Sequence, residues 1–467
     1  MESLSGKTGC SSRENEPLTF RKEEREWKRL GFFLKRSGIF SPRLLSRFQE
    51  APDSRQQHRI TYGASQLILS AVLLFCAKVG SRRNVKFQLK TPVSARTVSR
   101  IFQAFKVKSV EKIPDGDTIN YFFEKLPPEF LSDIRTDMVR QLIRQKCFQK
   151  QRLLKRSYLV AVDGSRIFSF RQRHCKNCLT QTLEDGSTRY YHSILEAKLV
   201  GRDGTAVSIG TEFIEGRAGS NKKQDCELRA FYRLAEKLKQ QFPRLPICLL
   251  LDGLYPSRPV FSICQKEGWK YLMTFKEGCI SSVYLEYEDL KIVRSWERVL
   301  ENCFTEPSRD GILRKFMWEE QIEYGPYFLN VLELEEKQEG KSTRFVWLTN
   351  FSISRKTCAE LAQAARLRWK IENEGFNTQK NNGYELEHAY SEDPVGMKNF
   401  YLCLQIAHLL MQLMERGNFF KESAVKRYGS LRNFARKLLT SLTTQVLTLK
   451  KVKAIFNQRI QIRLNSS

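Results

Sequence analysis

Three acidic residues offer the clearest chemistry in this chain. Asp163 follows the apolar run Tyr158-Leu159-Val160-Ala161-Val162, and Asp252 follows the run from Ile247 to Leu251. Glu372 stands far downstream, within Arg368-Trp369-Lys370-Ile371-Glu372-Asn373-Glu374. Carboxylates converging from separate elements form the oxygen-rich ligand set that Mg²⁺ prefers. Two such ions can activate an attacking oxygen and stabilise a leaving one in phosphodiester displacement. Each residue also has an ordinary reading. Asp-Gly after an apolar run is often only a turn, and a glutamate on a charged helix is often a solvated face. The reading rests on all three occurring in that order, two of them at the ends of predicted strands, in a basic protein.

Stepping outward, the continuous apolar runs predict buried central strands lying parallel in an α/β sheet, which would bring Asp163 and Asp252 to one edge. Tyr190–Val200 and Ala206–Ile214 predict a hairpin, turned by Gly201-Arg202-Asp203-Gly204. Asp225–Phe242 has helical periodicity and stops at Pro243, and Trp269–Phe275 predicts a fifth strand. The stretch 280–350 reads as a β-rich insertion, with alternating segments at Phe328–Leu334 and Arg344–Leu348. Lys356–Lys380 then reads as a helix carrying Glu372, and Asn399–Met414 as a long core helix.

Before the sheet, residues 1–57 are polar and predict loose helices. Gln66–Lys78, Ala95–Phe105 and Thr118–Leu126 follow as successive helices, the last capped by Asp117 or Thr118. They form either a helix-turn-helix, with Arg96, Arg100, Lys106 and Lys108 facing phosphates, or a plain structural bundle. The chain thus divides into a basic helical region (1–150), a core in two parts (151–279 and 351–420), the insertion (280–350) and a basic helical tail (421–467).

The charge pattern points to a polyanionic partner. The 467 residues carry 79 Lys and Arg against 51 Asp and Glu, a formal charge of +28. Residues 1–150 hold 29 basic and 15 acidic residues, and residues 421–467 hold 11 basic and 1 acidic. Both ends are therefore strongly basic around a nearly balanced middle, as expected of flanks that grip DNA. A 41% hydrophobic content excludes global disorder. The longest apolar run, Leu67–Ala77, is well short of the ~18 residues a membrane span needs. With no apolar leader behind the MESLSGKTGC start, the twelve cysteines read as reduced cytoplasmic thiols.

These residues together resemble the DDE-type transposases of bacterial insertion sequences, specifically insertion sequence family four with its Y-R-E-K signature. The resemblance covers roughly residues 60 to 415. It rests on Asp163, on Asp252-Gly253-Leu254-Tyr255, and most specifically on Arg368 to His388, RWKIENEGFNTQKNNGYELEH. Arg368 and Glu372 match the signature's Arg and Glu. Its Tyr position holds Ala365, and its Lys position holds Gln379, with Lys380 one step on. Glu374 to Lys380 is a rival register, which makes Glu374 the alternative third carboxylate.

The resemblance implies an RNase H-like core with a β insertion and a catalytic Asp163, Asp252 and Glu372 holding Mg²⁺, two ions with Mn²⁺ able to substitute. It further implies that Arg368 and Lys380 contact DNA. The implied activity is cleavage at transposon ends followed by attack of the freed 3′-hydroxyl on target DNA. A homodimer in the synaptic complex and a nucleoid-associated cytoplasmic location go with it. Two alternatives stand beside it: an RNase H-like endonuclease that cuts without joining, and a DNA-binding regulator with a decayed core.

Other signals read as structural. His174-Cys175-Lys176-Asn177-Cys178 is a CxxC beside a histidine, with His192 further on. A structural zinc site usually takes a second pair at short spacing, which the sequence lacks, so the segment reads as a loop with free thiols. His408 reads as a satisfied core histidine. Trp296, Trp318 and Trp347 read as core packing in the insertion, with stacking on a flipped base as the alternative.

Overall fold

The computed structural model describes residues 42–216, 225–296, 302–307, 311–417, 428–457 and 464. Most of the polar stretch 1–57, read as loose helices, lies outside those residues, and Pro42–Gln49 within it is helical. Helices Ala64–Cys76, Pro92–Ala104 and Gly116–Phe123 begin two or three residues earlier than predicted. Thr91 caps the second, its side chain accepting from the Ser94 amide at 3.1 Å, with Pro92 at the first helical position. The expected cap by Asp117 or Thr118 does not form. Asp115 takes the capping position, and its carboxylate is held by Lys90 Nζ at 2.7 and 2.8 Å instead. Helix Pro128–Arg144, which the sequence reading passed over, completes this layer.

Among the described residues the sheet has ten strands. They are β1 (Tyr158–Phe170), β2 (Leu179–Thr182), β3 (Thr188–Val200), β4 (Ala206–Ile214), β5 (Ile247–Leu251), β6 (Lys270–Thr274), β7 (Cys303–Pro307), β8 (Leu313–Tyr324), β9 (Tyr327–Gln338) and β10 (Lys341–Thr349). Their order is β2-β3-β1-β5-β6-β10-β9-β8-β7, with β4 paired to β3. β1, β5 and β6 run parallel, joined through helices Glu227–Gln241 and Arg258–Glu267. β3 and β4 form the predicted hairpin, closed by the Gly201 amide donating to the Thr205 carbonyl. The result is a mixed α/β fold.

The segment read as a β-rich insertion begins with a helix, Ser281–Trp296, before its four strands. Those strands continue the central sheet rather than standing apart. β10 pairs antiparallel with β6, from Trp347 opposite Thr274 to Thr349 opposite Leu272. Trp318 and Trp347 are buried in the core, as expected of packing residues, while the Trp296 side chain lies outside the described part.

Helix Pro394–Arg416 is the spine of the molecule. Asp393 caps it by accepting from the Val395 and Gly396 amides, both at 2.8 Å, and Pro394 occupies the first turn. It packs against helices Ala64–Cys76, Gly116–Phe123 and Pro128–Arg144 and against β4. Asn399 Nδ2 donates to the carbonyls of Phe123 and Leu126 at 2.8 and 2.7 Å. Helix Ala64–Cys76 is buried on nearly all sides, the pattern of a helix enclosed by a protein core. Among the described residues no helix is long and apolar enough to cross a membrane.

The two basic ends meet. Helices Leu431–Thr444 and Leu449–Asn457 pack on helix Pro92–Ala104. Thr97 Oγ1 donates to the Gln445 carbonyl at 3.0 Å and Arg100 Nη1 to the Leu447 carbonyl at 2.9 Å. Arg100, expected to face phosphate, is thus engaged by the chain itself, and Arg96 pairs with Glu111 at 3.2 Å.

Candidate active site

Asp163 and Asp252 are brought together by register. β1 and β5 pair from Tyr158 opposite Ile247 to Ala161 opposite Leu250. Two further residues along each chain place Asp163 level with Asp252. Neighbouring strands lie about 4.8 Å apart, and residues two apart share a face, so both carboxylates leave the same side. One expectation is corrected here. Asp163 does not end its strand, because β1 runs on to Phe170, with Asp163 opposite Glu196 of β3. The long β3 hairpin strand keeps β1 extended after β5 has stopped.

Each aspartate is fixed locally. Asp163 Oδ1 accepts from the Gly164 amide at 2.9 Å, and Asp252 Oδ1 accepts from the Leu254 amide at 2.9 Å in the turn after β5. Arg368 Nη1 lies 3.5 Å from Asp163 Oδ2, and its guanidinium covers the exposed ring of Trp369 at 4.7 Å.

The third carboxylate comes from a segment that is not the single helix predicted for 356–380. It breaks into an α-helix (Cys358–Arg366), a 3₁₀ turn (Leu367–Trp369), a π-helix (Ile371–Asn377) and a short α-turn (Thr378–Asn381). The wider π turn lets Ile371 and Phe376, five residues apart, both bury, while Glu372 stays exposed. Gly375 fits where a Cβ would come within 3.0 Å of Lys198 Cε.

Electrostatics tie the group together. Burial pushes the Asp163 carboxyl up to about 6, Arg368 opposes that, and the charges of Asp252 and Glu372 add to it. Glu374 is instead engaged by Lys370 at 2.5 Å. A buried carboxyl that resists ionisation beside other acids marks a place suited to a cation.

No protein-family model matches this chain, and neither does any curated protein.

Sequence reasoning missed a fourth acid. Glu227 opens helix Glu227–Gln241, and its Oε1 would lie 1.8 Å from a Cβ on residue 164, so any side chain beside Asp163 would displace the Glu227 carboxylate. Burial raises the Glu227 pKa, with Asp163 and Asp252 adding to the shift. An acid in a first helical turn is ordinary, so nothing local singled it out. Tyr255, of the Asp-Gly-Leu-Tyr stretch, is buried with its hydroxyl unbonded, and burial, helped by the charges of Glu227, Asp252 and Asp163, keeps it protonated.

The signature's departures have structural settings. Ala365 is buried in its helix. Gln379 is fully buried and donates to Gln405 Oε1 at 2.9 Å, in a network that also holds His408 at 2.9 Å. His408 is a satisfied core histidine, as read. Lys380, the residue after Gln379, is paired with Glu387 at 3.0 Å.

The four acids offer oxygens only, a donor set for a hard cation. Their oxygens are not drawn into a tight cage. Among the described residues, the group of potential ligands whose atoms all lie within 4.8 Å of one another is His174, Cys175, Cys178 and His192.

Proposed function

We propose that this chain is a metal-dependent DNA transposase with an RNase H-like core. The observation that carries the reading is the level placement of Asp163 on β1 and Asp252 just past the end of adjacent β5, with Glu372 and Arg368 acting on the Asp163 carboxylate. The sheet order around β1 supports the core assignment: an antiparallel hairpin on one side and parallel β5 and β6 on the other.

Asp163, Asp252 and Glu372 are the residues to hold Mg²⁺, or Mn²⁺ in its place. The ions, two by expectation, supply activation of the attacking oxygen and stabilisation of the leaving one. Arg368 sits where it can exchange its contact with Asp163 for a phosphate oxygen, a bidentate partner for guanidinium. Lys380 reaches phosphate only by leaving Glu387. The basic N- and C-terminal helices, packed together, supply non-specific DNA affinity. Cleavage at transposon ends frees a 3′-hydroxyl, which attacks target DNA at the same carboxylates, and synapsis of two ends requires at least two copies. The bacterial nucleoid is the place for such a reaction.

The test is cleavage and strand transfer on end-containing DNA with Mg²⁺, comparing wild type with Asp163→Ala. Joined products lost in the variant, with DNA binding retained, support the transposase. Cleavage without joining identifies an endonuclease. Binding with no metal-dependent cutting leaves a DNA-binding regulator and removes the catalytic assignment.

A further inference from the structure

We propose that His174, Cys175, Cys178 and His192 form a structural zinc site, separate from the carboxylates. The ligand atoms of Cys175, Cys178 and His192 already stand at separations that fit three corners of a tetrahedron. With Zn–S about 2.3 Å and Zn–N about 2.05 Å, tetrahedral edges are about 3.8 Å for S···S, 3.5 Å for S···N and 3.3 Å for N···N. The corresponding separations are 3.6 Å for Cys175 Sγ to Cys178 Sγ and 3.4 and 3.6 Å from His192 Nε2 to the two sulfurs. His174 completes the set with one ring nitrogen: its Nδ1 lies 3.3 Å from Cys178 Sγ and its Nε2 3.2 Å from His192 Nε2, and one ligand atom from each of the four residues lies within 4.8 Å of all the others. A sulfur pair 3.6 Å apart is not a disulfide, whose S–S bond is about 2.05 Å, and both cysteines are free thiols.

The ligands meet because of β pairing rather than sequence spacing. β2 pairs with β3 from Leu179 opposite Tyr191, so one step back sets Cys178 opposite His192. On its other side His192 is opposite Phe168 of β1. Phe168 and Phe170 wall the site, their rings 5.3 Å from His192 and 4.1 Å from His174.

The loop is also clamped from behind. The Gly216 amide donates to the Asn177 carbonyl at 2.9 Å, and Asn177 Nδ2 to Glu215 Oε1 at 2.9 Å. A Cβ on residue 216 would lie 2.3 Å from the Cys178 carbonyl oxygen, so the backbone there approaches as closely as glycine allows.

Four protein ligands leave no open position, which makes the site structural rather than catalytic. Binding Zn²⁺ releases two thiol protons to solvent. Two thiolates and a dication then sum to zero charge, which suits a half-buried, aromatic-walled location. The metal would pin the β2–β3 arm to the strand that carries Asp163, five residues from Phe168.

The full chain, purified under reducing conditions and dialysed against Zn²⁺, is assayed for bound metal, beside Cys178→Ser, His192→Gln and the control Cys226→Ser. About one tightly bound zinc per chain in wild type and Cys226→Ser, lost in the other two, is expected. Co²⁺ in place of zinc should give thiolate charge-transfer absorption and tetrahedral ligand-field bands, a readout on wild type that does not depend on the variants folding. Asp163→Ala should keep its zinc. A wild type that binds no zinc, a Co²⁺ spectrum without thiolate bands, or zinc retained in a folded Cys178→Ser would each overturn the proposal.

Discussion

At the scale of single residues, the Asp163 carboxyl sets a measurable pH dependence. Folding lifts it from an ordinary 3.8 to about 6. Between those values the native protein binds the proton more tightly than the unfolded chain, so stability falls as pH rises through that window. The full effect is at most about 3 kcal/mol above pH 6. Asp163→Asn should therefore raise the unfolding free energy more at pH 8 than at pH 5, roughly twofold more, in urea titrations at both pH values. Equal effects at both would mean that the crowded charge is not the cause. Mg²⁺ should stabilise wild type at pH 8 and do less for the variant, because binding to the native state alone adds stability. The same scale separates the two glutamates. Glu372→Gln should abolish Mg²⁺-dependent cleavage, whereas Glu374→Gln, which releases only Lys370, should retain most of it; the reverse pattern would move the third acid to Glu374.

At the scale of elements, strand β1 and helix Glu227–Gln241 are coupled through a missing side chain. Gly164→Ala must displace Glu227 and should cost roughly 1–3 kcal/mol. That cost should largely vanish in a Glu227→Ala background, because the clash has gone. Denaturant midpoints of the four proteins in this cycle give the coupling directly, and additive costs would break the argument. Elements also show how far the sequence could be read. The runs ending at Val162 and Leu251 announced both strands and hence both aspartates. What they could not announce was the length of β1, because Asp163 to Phe170 are held extended by β3, a partner distant in sequence. Glu227 escaped for the same reason: its role depends on where its helix docks. The break in the helix carrying Glu372 reflects packing on the sheet. The meeting of His174, Cys175 and Cys178 with His192 has no signature in residue spacing, because His192 arrives across the hairpin of β2 and β3.

At the scale of the whole molecule, the two basic ends read from composition become one packed region, although more than 300 positions separate Arg100 from Leu447. DNA affinity should therefore be steeply salt-dependent. If the region contacts 6–10 phosphates, binding weakens by about 10³–10⁵ between 50 and 200 mM salt. A titration of Kd against salt concentration measures it, and a flat dependence would remove this region as the DNA-gripping surface. The sequence suggested the polyanionic partner but not the joining of the ends, because packing between segments so far apart leaves no local pattern.

The spine helix carries a consequence for how the protein is made. Helix Ala64–Cys76 buries its leucines, isoleucine and valine against Pro394–Arg416, which the ribosome delivers some 340 residues later. At 5–20 residues per second, that is roughly 17–70 s of synthesis. Through that interval one of the most apolar segments of the chain has only Pro42–Gln49 and Gly116–Phe123 to pack on, and the face that Pro394–Arg416 will cover is open to chaperones or to neighbouring nascent chains. Output of functional protein would then be governed by survival of the unfinished chain as much as by the stability of the finished one.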